Sequence, residues 1–141
     1  MNKYLERLAK EWALHGKIVI AVDFDSTIYP WPTLYNDEDR EKVIKLLVEC
    51  QKVGCYITIN TCSAPERHQE IYDYCTTIDL KVHSINENPI KMPFGGHGKV
   101  YANIYLDDRA GLMEAVSILK EAMYMQKHHL KTQNDTKIFS N

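Results

Sequence analysis

Short apolar runs alternate with helix-patterned segments along most of this chain, and this alternation restricts the fold more than any other feature. The runs "KIVIAV" (17–22) and "CYITIN" (55–60) are almost continuously apolar, which is typical of strands covered on both faces. A weaker run lies at 81–85, and a fourth, "YANIYLDD", at 101–108. Strands separated by helices predict a parallel sheet with right-handed crossovers.

Four segments around these runs have apolar residues at helical spacing. They are residues 2–14, a helix capped by Asn36 or Asp37 and closed by Gly54, a helix from Ser63 toward Cys75, and a helix from about Arg109 to Gln126. The third begins with "SAPE", in which Ser63 and Glu66 have the spacing of a capping box. We therefore expect a three-layer α/β/α fold with a mainly parallel, Rossmann-like sheet.

The length of 141 residues suits one domain, which we assign to 1–126, followed by a polar tail at 127–141. Within that tail, "KIFS" could add an edge strand. The formal net charge of -2 provides no basic field, so nucleic acid is not expected as a stable partner.

Three features indicate a cytoplasmic protein without a membrane span. No stretch approaches the roughly 20 apolar residues that a membrane helix needs. Charged residues at Glu6, Lys10 and Glu11 interrupt the region where a signal peptide is apolar. The four cysteines lack C-x-x-C spacing, which favours reduced thiols over disulfides or a zinc site.

Acidic and hydroxyl residues follow the ends of three predicted strands. Asp23 and Asp25 end the first, Thr61 follows the second, and Asp107 and Asp108 end the fourth. In parallel α/β sheets, ligands bind at the carboxyl ends of the strands. Converging carboxylates repel one another unless a cation lies between them, and Mg²⁺ prefers oxygen ligands. Either pair alone is more typical of loops, and Asp108 could simply cap the last helix. Two pairs at strand ends, with Thr61 between them in the sequence, instead favour a magnesium site.

The same carboxylates, together with one lysine, suit phosphoryl transfer at such a site. An aspartate can carry a phosphoryl group covalently, and a second carboxylate can donate a proton. Lys99, just before the fourth strand, is the candidate cation for the phosphate, although taken alone it is more typical of a solvated surface lysine.

These residues, in this order, resemble the four motifs of the haloacid dehalogenase superfamily. The resemblance covers roughly residues 17–126 and rests on "DFDST" with Asp23 and Asp25, on Thr61, on Lys99, and on "YLDD" with Asp107 and Asp108. The first and last motifs are specific, whereas the threonine and lysine gain weight from their order and spacing. One departure is Ser26, where the family usually has glycine.

The resemblance implies a role for each matched residue. Asp23 is then the nucleophile and a magnesium ligand, and Asp25 is the general acid and base, with its backbone carbonyl in the magnesium shell. Thr61 and Lys99 hold the transferring phosphoryl group. Asp107 binds magnesium, and Asp108 does so directly or through water.

The gaps between the motifs are too short for the cap domains that many family members carry. We expect an open crevice whose rim comes from residues 29–35 and 86–98. Trp31 and Tyr35 could stack on a substrate ring or pack the loop, and His97 is a weaker candidate contact. An uncapped site suits a small phosphorylated substrate and also admits a macromolecular phosphate, and a homo-oligomer would be compatible with it.

The function that we predict is that of a Mg²⁺-dependent phosphatase acting on a phosphate monoester through an aspartyl phosphate. A phospho-accepting receiver module would use the same residue types, but receivers place their acidic pair early, whereas the adjacent pair here comes last. A catalytically silent α/β binding protein is the other alternative.

Overall fold

Four parallel strands form one sheet at the centre of the structure, which is a computed structural model that describes residues 2–30, 37–91 and 98–139. Within these ranges the helices are α1 (Lys3–His15), α2 (Asp37–Lys52), α3 (His68–Thr77) and α4 (Leu112–Phe139). The strands are β1 (Val19–Asp23), β2 (Tyr56–Asn60), β3 (Ser84–Ile85) and β4 (Ile104–Leu106). A 3₁₀ turn, Pro65–Arg67, directly precedes α3.

Local sequence signals set the ends of α1. The Asn2 side chain accepts a hydrogen bond from the Tyr4 backbone N–H at 2.8 Å, as an N-cap residue does. At the other end, Gly16 adopts a left-handed backbone with φ of 74° and donates its N–H to the Trp12 carbonyl. The helix therefore stops where β1 has to begin.

The strand order is β3-β2-β1-β4, so β1 lies between β2 and β4. Asp23 at the end of β1 pairs in register with Asn60 at the end of β2, and Val22 pairs with Leu106 of β4. Because all the strands are parallel, the residues that follow them emerge at one edge of the sheet. The predicted parallel α/β fold in three layers is confirmed.

The two faces of the sheet are covered unequally. One face carries Ile18, Ile20 and Val22, which belong to a large core cluster with buried residues of all four helices. On the opposite face, Val19 and Ala21 pack with Ala102 in a small second cluster, against which Tyr56 and Tyr105 pack, partly buried. The segment that leads into β4 therefore covers part of this opposite face of the sheet.

Several element boundaries differ from the sequence prediction. The capping box is absent: Ala64, not Ser63, precedes the 3₁₀ turn, and no side chain caps it. Helix α4 begins at Leu112 rather than near Arg109, and it runs to Phe139 rather than ending near Gln126. The predicted edge strand at "KIFS" is wrong, because its first three residues lie inside this helix.

None of the helices in the described ranges combines the length and apolar character that crossing a bilayer requires. The four cysteines are unpaired, with Cys50, Cys55 and Cys75 buried and Cys62 exposed. Trp31, Tyr35 and His97, which we considered as rim residues, lie outside the described residues.

Candidate functional site

Three aspartates meet at the carboxyl edge of the sheet. Asp23 ends β1, and Asp107 and Asp108 follow β4 directly. One carboxylate oxygen from each residue lies within 4.8 Å of those of the other two. The register between β1 and β4 produces this arrangement, because it brings the two strand ends to the same height. The predicted acidic pairs therefore supply three oxygen ligands to one point.

Thr27 connects the two strand ends through its buried hydroxyl. Its Oγ1 accepts a hydrogen bond from the Asp108 backbone N–H at 3.1 Å. The same oxygen lies 3.1 Å from Asp23 Oδ2 and 3.3 Å from Asp108 Oδ1, so its single proton can be donated to either carboxylate. Thr27 is fully buried, which excludes water as a replacement for these contacts.

The pKa of Asp23 is raised from its ordinary value of 3.8 to about 7, and burial is the largest cause. The hydrogen-bonding contact with Asp108 and the negative charge of Asp107 also contribute to this rise, and the Thr27 hydroxyl opposes it. The chain thus concentrates negative charge where its own residues provide little compensation. A divalent cation would supply the missing charge and favour the ionised form.

The two residues after β4 have separate local roles. Asp107 Oδ1 accepts a hydrogen bond from the Arg109 backbone N–H at 2.9 Å, which fixes the side chain beside its own loop. Asp108 does not cap the last helix, because α4 begins four residues later at Leu112. The alternative explanation for Asp108 as a helix cap is therefore wrong.

Thr61 is held at the end of β2 by Asn86. The Asn86 side chain accepts from the Thr61 backbone N–H and donates to the Thr61 carbonyl, both at 2.8 Å. Asn86 follows β3 and has a φ of 56°, a left-handed conformation that asparagine tolerates better than most residues. The Thr61 hydroxyl in turn accepts a hydrogen bond from the Ser63 backbone N–H at 3.0 Å.

Lys99 and Thr61 line a cavity of about 550 Å³ together with Asp23 and Asp107. The segment that carries Lys99 is fixed by Tyr105, whose hydroxyl donates to the Val100 carbonyl at 2.6 Å. The Lys99 ammonium lies 5.0 Å from the centroid of the Tyr105 ring. The lysine that the sequence predicts is thus next to the acidic cluster.

The carboxylate of Asp25 pairs with the 3₁₀ turn that precedes α3 and lies outside the three-aspartate cluster. Arg67 NH1 donates to Asp25 Oδ2 and NH2 donates to Oδ1, each at 3.1 Å. A second cavity, of about 460 Å³, is lined by Asp25, by all three aspartates of the cluster and by Arg109. The predicted magnesium contact of Asp25 through its backbone carbonyl stays a prediction.

Sequence reasoning missed Thr27, Arg67 and Asn86. Thr27 is the last residue of the quoted "DFDST" motif, so its position next to the acidic pair was a usable signal. Arg67 had no comparable sequence signal, because its contact with Asp25 spans 42 residues and depends on the path of the loop after β2. Asn86 opens the "NEN" segment at a strand end, the position that marks the other site residues.

Comparison with known proteins supports the fold and leaves the chemistry open. No family model matches the chain. The search of curated proteins also finds no match. A solved structure, described as that of a conserved protein from Bacteroides thetaiotaomicron, is similar with a TM-score of 0.59. It is 22% identical in sequence, and the similarity covers 74% of this chain and 91% of that one. At this identity the likeness establishes that the chain shares its α/β fold with that protein.

Proposed function

We propose that the protein is a Mg²⁺-dependent phosphatase of the haloacid dehalogenase type. The observation that carries this proposal is the convergence of Asp23, Asp107 and Asp108 beside Lys99 and Thr61. Acidic oxygens on one side and a cation with a hydroxyl on the other suit a metal and a phosphate bound next to each other.

The donor set of the cluster fits magnesium. Three carboxylates offer hard oxygen ligands, and two of them, Asp23 and Asp107, are half-buried. Burial is the largest cause of the raised pKa of Asp23, and the neighbouring Asp108 and Asp107 add to it, so a bound cation would favour the ionised form. When bound there, Mg²⁺ would favour the ionised Asp23 and neutralise charge on the phosphoryl oxygens.

The proposed reaction has two steps on the residues of this chain. Asp23 attacks phosphorus, forming an aspartyl phosphate as the ester P–O bond breaks, and Asp25 gives a proton to the leaving oxygen. Asp25 then takes a proton from water, which attacks the phosphorus and releases inorganic phosphate and the Asp23 carboxylate. Lys99 and Thr61 bind the phosphoryl oxygens throughout.

The substrate class that we propose is a small phosphate monoester. The two cavities beside the acidic cluster open at the edge of the sheet, which also leaves room for a phosphate on a larger molecule. The four unpaired cysteines support a reducing, cytoplasmic setting.

The test is turnover of a panel of phosphate monoesters by the wild type, with and without Mg²⁺. Asp23→Asn should lose at least about 10³-fold in kcat, because an amide is a far poorer nucleophile. Asp73→Asn is the matched control: it makes the same chemical change on the surface of α3, where Asp73 contacts Gln69.

The outcomes separate the three functions. Turnover that requires Mg²⁺ and Asp23 supports the phosphatase. Stable labelling of Asp23 by a small phosphodonor without turnover would instead identify a receiver module. A wild type that neither turns over an ester nor becomes labelled would leave a binding protein.

A further inference from the structure

The ion pair between Asp25 and Arg67 is the most highly organised contact at the edge of the site. The two terminal guanidinium nitrogens donate to different carboxylate oxygens, each at 3.1 Å. This is the bidentate geometry that the planar guanidinium group forms best with a carboxylate. Both side chains are largely shielded, with 25% of Arg67 and 34% of Asp25 exposed. Of the described side chains, Arg67 alone donates to the Asp25 carboxylate.

The Arg67 guanidinium is itself held in place from several sides. Its NH1 also donates to Ser63 Oγ at 2.7 Å, and its Nε lies 3.7 Å from Glu70 Oε2. The guanidinium carbon lies 5.4 Å from the ring centroids of both Phe24 and Tyr29, which places the group against aromatic rings. A group fixed in this way can define where the Asp25 carboxylate lies.

We infer that Arg67 is a positioning residue for Asp25 in the proposed phosphatase, so this inference rests on the proposed function. Asp25 borders the same cavity as the three clustered aspartates, yet its carboxylate is held away from them. Arg67 thereby keeps one carboxylate apart from the three that would face the metal, and holds it in one place beside the shared cavity. Without the guanidinium, the Asp25 side chain is free to rotate away from the reacting oxygen.

A direct role for Arg67 in binding the substrate phosphate is the competing explanation. The two roles differ in whether the effect of Arg67 depends on Asp25. A positioning residue acts through Asp25, so its removal has no further effect once Asp25 can no longer transfer a proton. A phosphate-binding residue acts independently, so its removal still weakens substrate binding in that background.

The experiment is a double-mutant cycle of Arg67→Gln and Asp25→Asn, measured on an alkyl phosphate ester that the wild type hydrolyses. Arg67→Gln should lower kcat by about 10- to 100-fold, the effect of misplacing a reacting group, with KM nearly unchanged. The double variant should match Asp25→Asn alone. Arg67→Lys should recover only part of kcat, because lysine keeps the charge and loses the two-pronged geometry.

Controls separate positioning from a loss of structure. Asp73→Asn changes an exposed carboxylate of α3 that contacts Gln69 and not Arg67, so its kcat should stay within about 2-fold of the wild type. Free guanidinium added to Arg67→Ala should restore part of the lost rate if the cavity is otherwise intact. The stabilisation of Arg67→Gln by Mg²⁺ should be retained, because Arg67 does not contact the three clustered aspartates.

The inference is overturned if the losses of kcat from the two substitutions multiply in the double variant. It is also overturned if Arg67→Gln raises KM instead of lowering kcat, or if this variant is as active as the wild type. Each of these results leaves the phosphatase itself standing. A wild type without turnover on any ester overturns the proposed function and, with it, this inference.

Discussion

Thr27 joins the two halves of the acidic site through one buried hydroxyl. It accepts the Asp108 N–H and faces the carboxylates of Asp23 and Asp108. Removing the hydroxyl would leave a backbone N–H without its partner next to a negative cluster. An unsatisfied buried donor is more costly than the net gain from an average hydrogen bond.

We expect Thr27→Val to lower the free energy of unfolding by about 1–3 kcal/mol, because valine keeps the volume and loses the acceptor. Thr27→Ser is the matched variant, since it keeps the hydroxyl and loses one buried methyl group at about 1 kcal/mol. Urea unfolding with and without Mg²⁺ measures both. If the valine variant were as stable as the wild type, the hydroxyl would have no bridging role.

The residues that could be predicted from the sequence are those that the sheet itself places. Asp23, Asp107 and Thr61 follow apolar runs, and parallel strands bring such positions to one edge whatever the loops do. Arg67 could not be predicted, since its contact with Asp25 spans 42 residues and depends on how the loop after β2 folds back. Asn86 had only its position after a strand as a signal, because its partner Thr61 lies 25 residues away along the chain.

The turn after β1 shapes the site by folding tightly on one carbonyl. The N–H groups of Ile28 and Tyr29 both donate to the Phe24 carbonyl, at 3.1 and 3.0 Å. Phe24 stacks on Tyr29 with ring centroids 4.9 Å apart, and Tyr74 of α3 closes the group. This packing makes the segment between Asp23 and Thr27 a fixed part of the fold.

Ser26 takes a left-handed backbone in this turn, with φ of 68°. This conformation explains how serine stands where the family resemblance places glycine: the turn is kept, at a steric cost of about 1–2 kcal/mol for a residue with a Cβ atom. Ser26 therefore adopts the left-handed conformation that glycine takes most readily.

The free energy of unfolding of Ser26→Gly should therefore lie within about 1 kcal/mol of that of the wild type. Glycine relieves the backbone strain, and this gain is offset by the greater freedom of the unfolded chain. Ser26→Val should lower stability by more than Ser26→Gly, since a β-branched residue is a severe outlier at this φ. Thermal or urea unfolding of the two variants checks the order. Equal stability of both would show that the turn relaxes.

The helix boundaries show where element prediction failed. The spacing of Ser63 and Glu66 satisfied the capping pattern, but the Ser63 hydroxyl instead accepts from Arg67. The start of α4 was placed too early because Asp107 and Asp108 resemble cap residues, whereas their side chains face the site. In both places, side-chain contacts at this edge of the sheet override a local helix signal.

The whole molecule brings three carboxylates together at the end of a sheet, and its stability should reflect that. In the absence of metal, the folded protein holds a proton on Asp23 up to a pKa of about 7, whereas the unfolded chain releases it near 3.8. Between these two values the folded state binds more protons than the unfolded state. Stability of the metal-free protein should therefore fall as pH rises through this window.

Magnesium should reverse this trend, because it binds the ionised carboxylates and competes with the proton. We expect a small rise in melting temperature with Mg²⁺ at about pH 5.5 and a larger one at about pH 7.5. At pH 7.5 the added free energy of unfolding should approach about 2.7 kcal/mol at a hundredfold excess of Mg²⁺ over Kd. Asp107→Asn should weaken the response, while Glu121→Gln, an exposed change on α4, should preserve it. Melting curves in EDTA and in Mg²⁺ across this pH range measure all three proteins. A melting temperature that does not change with millimolar Mg²⁺ at pH 7.5 would contradict a shared metal site. A cation that binds the folded protein must stabilise it, and more so where it relieves repulsion between three carboxylates.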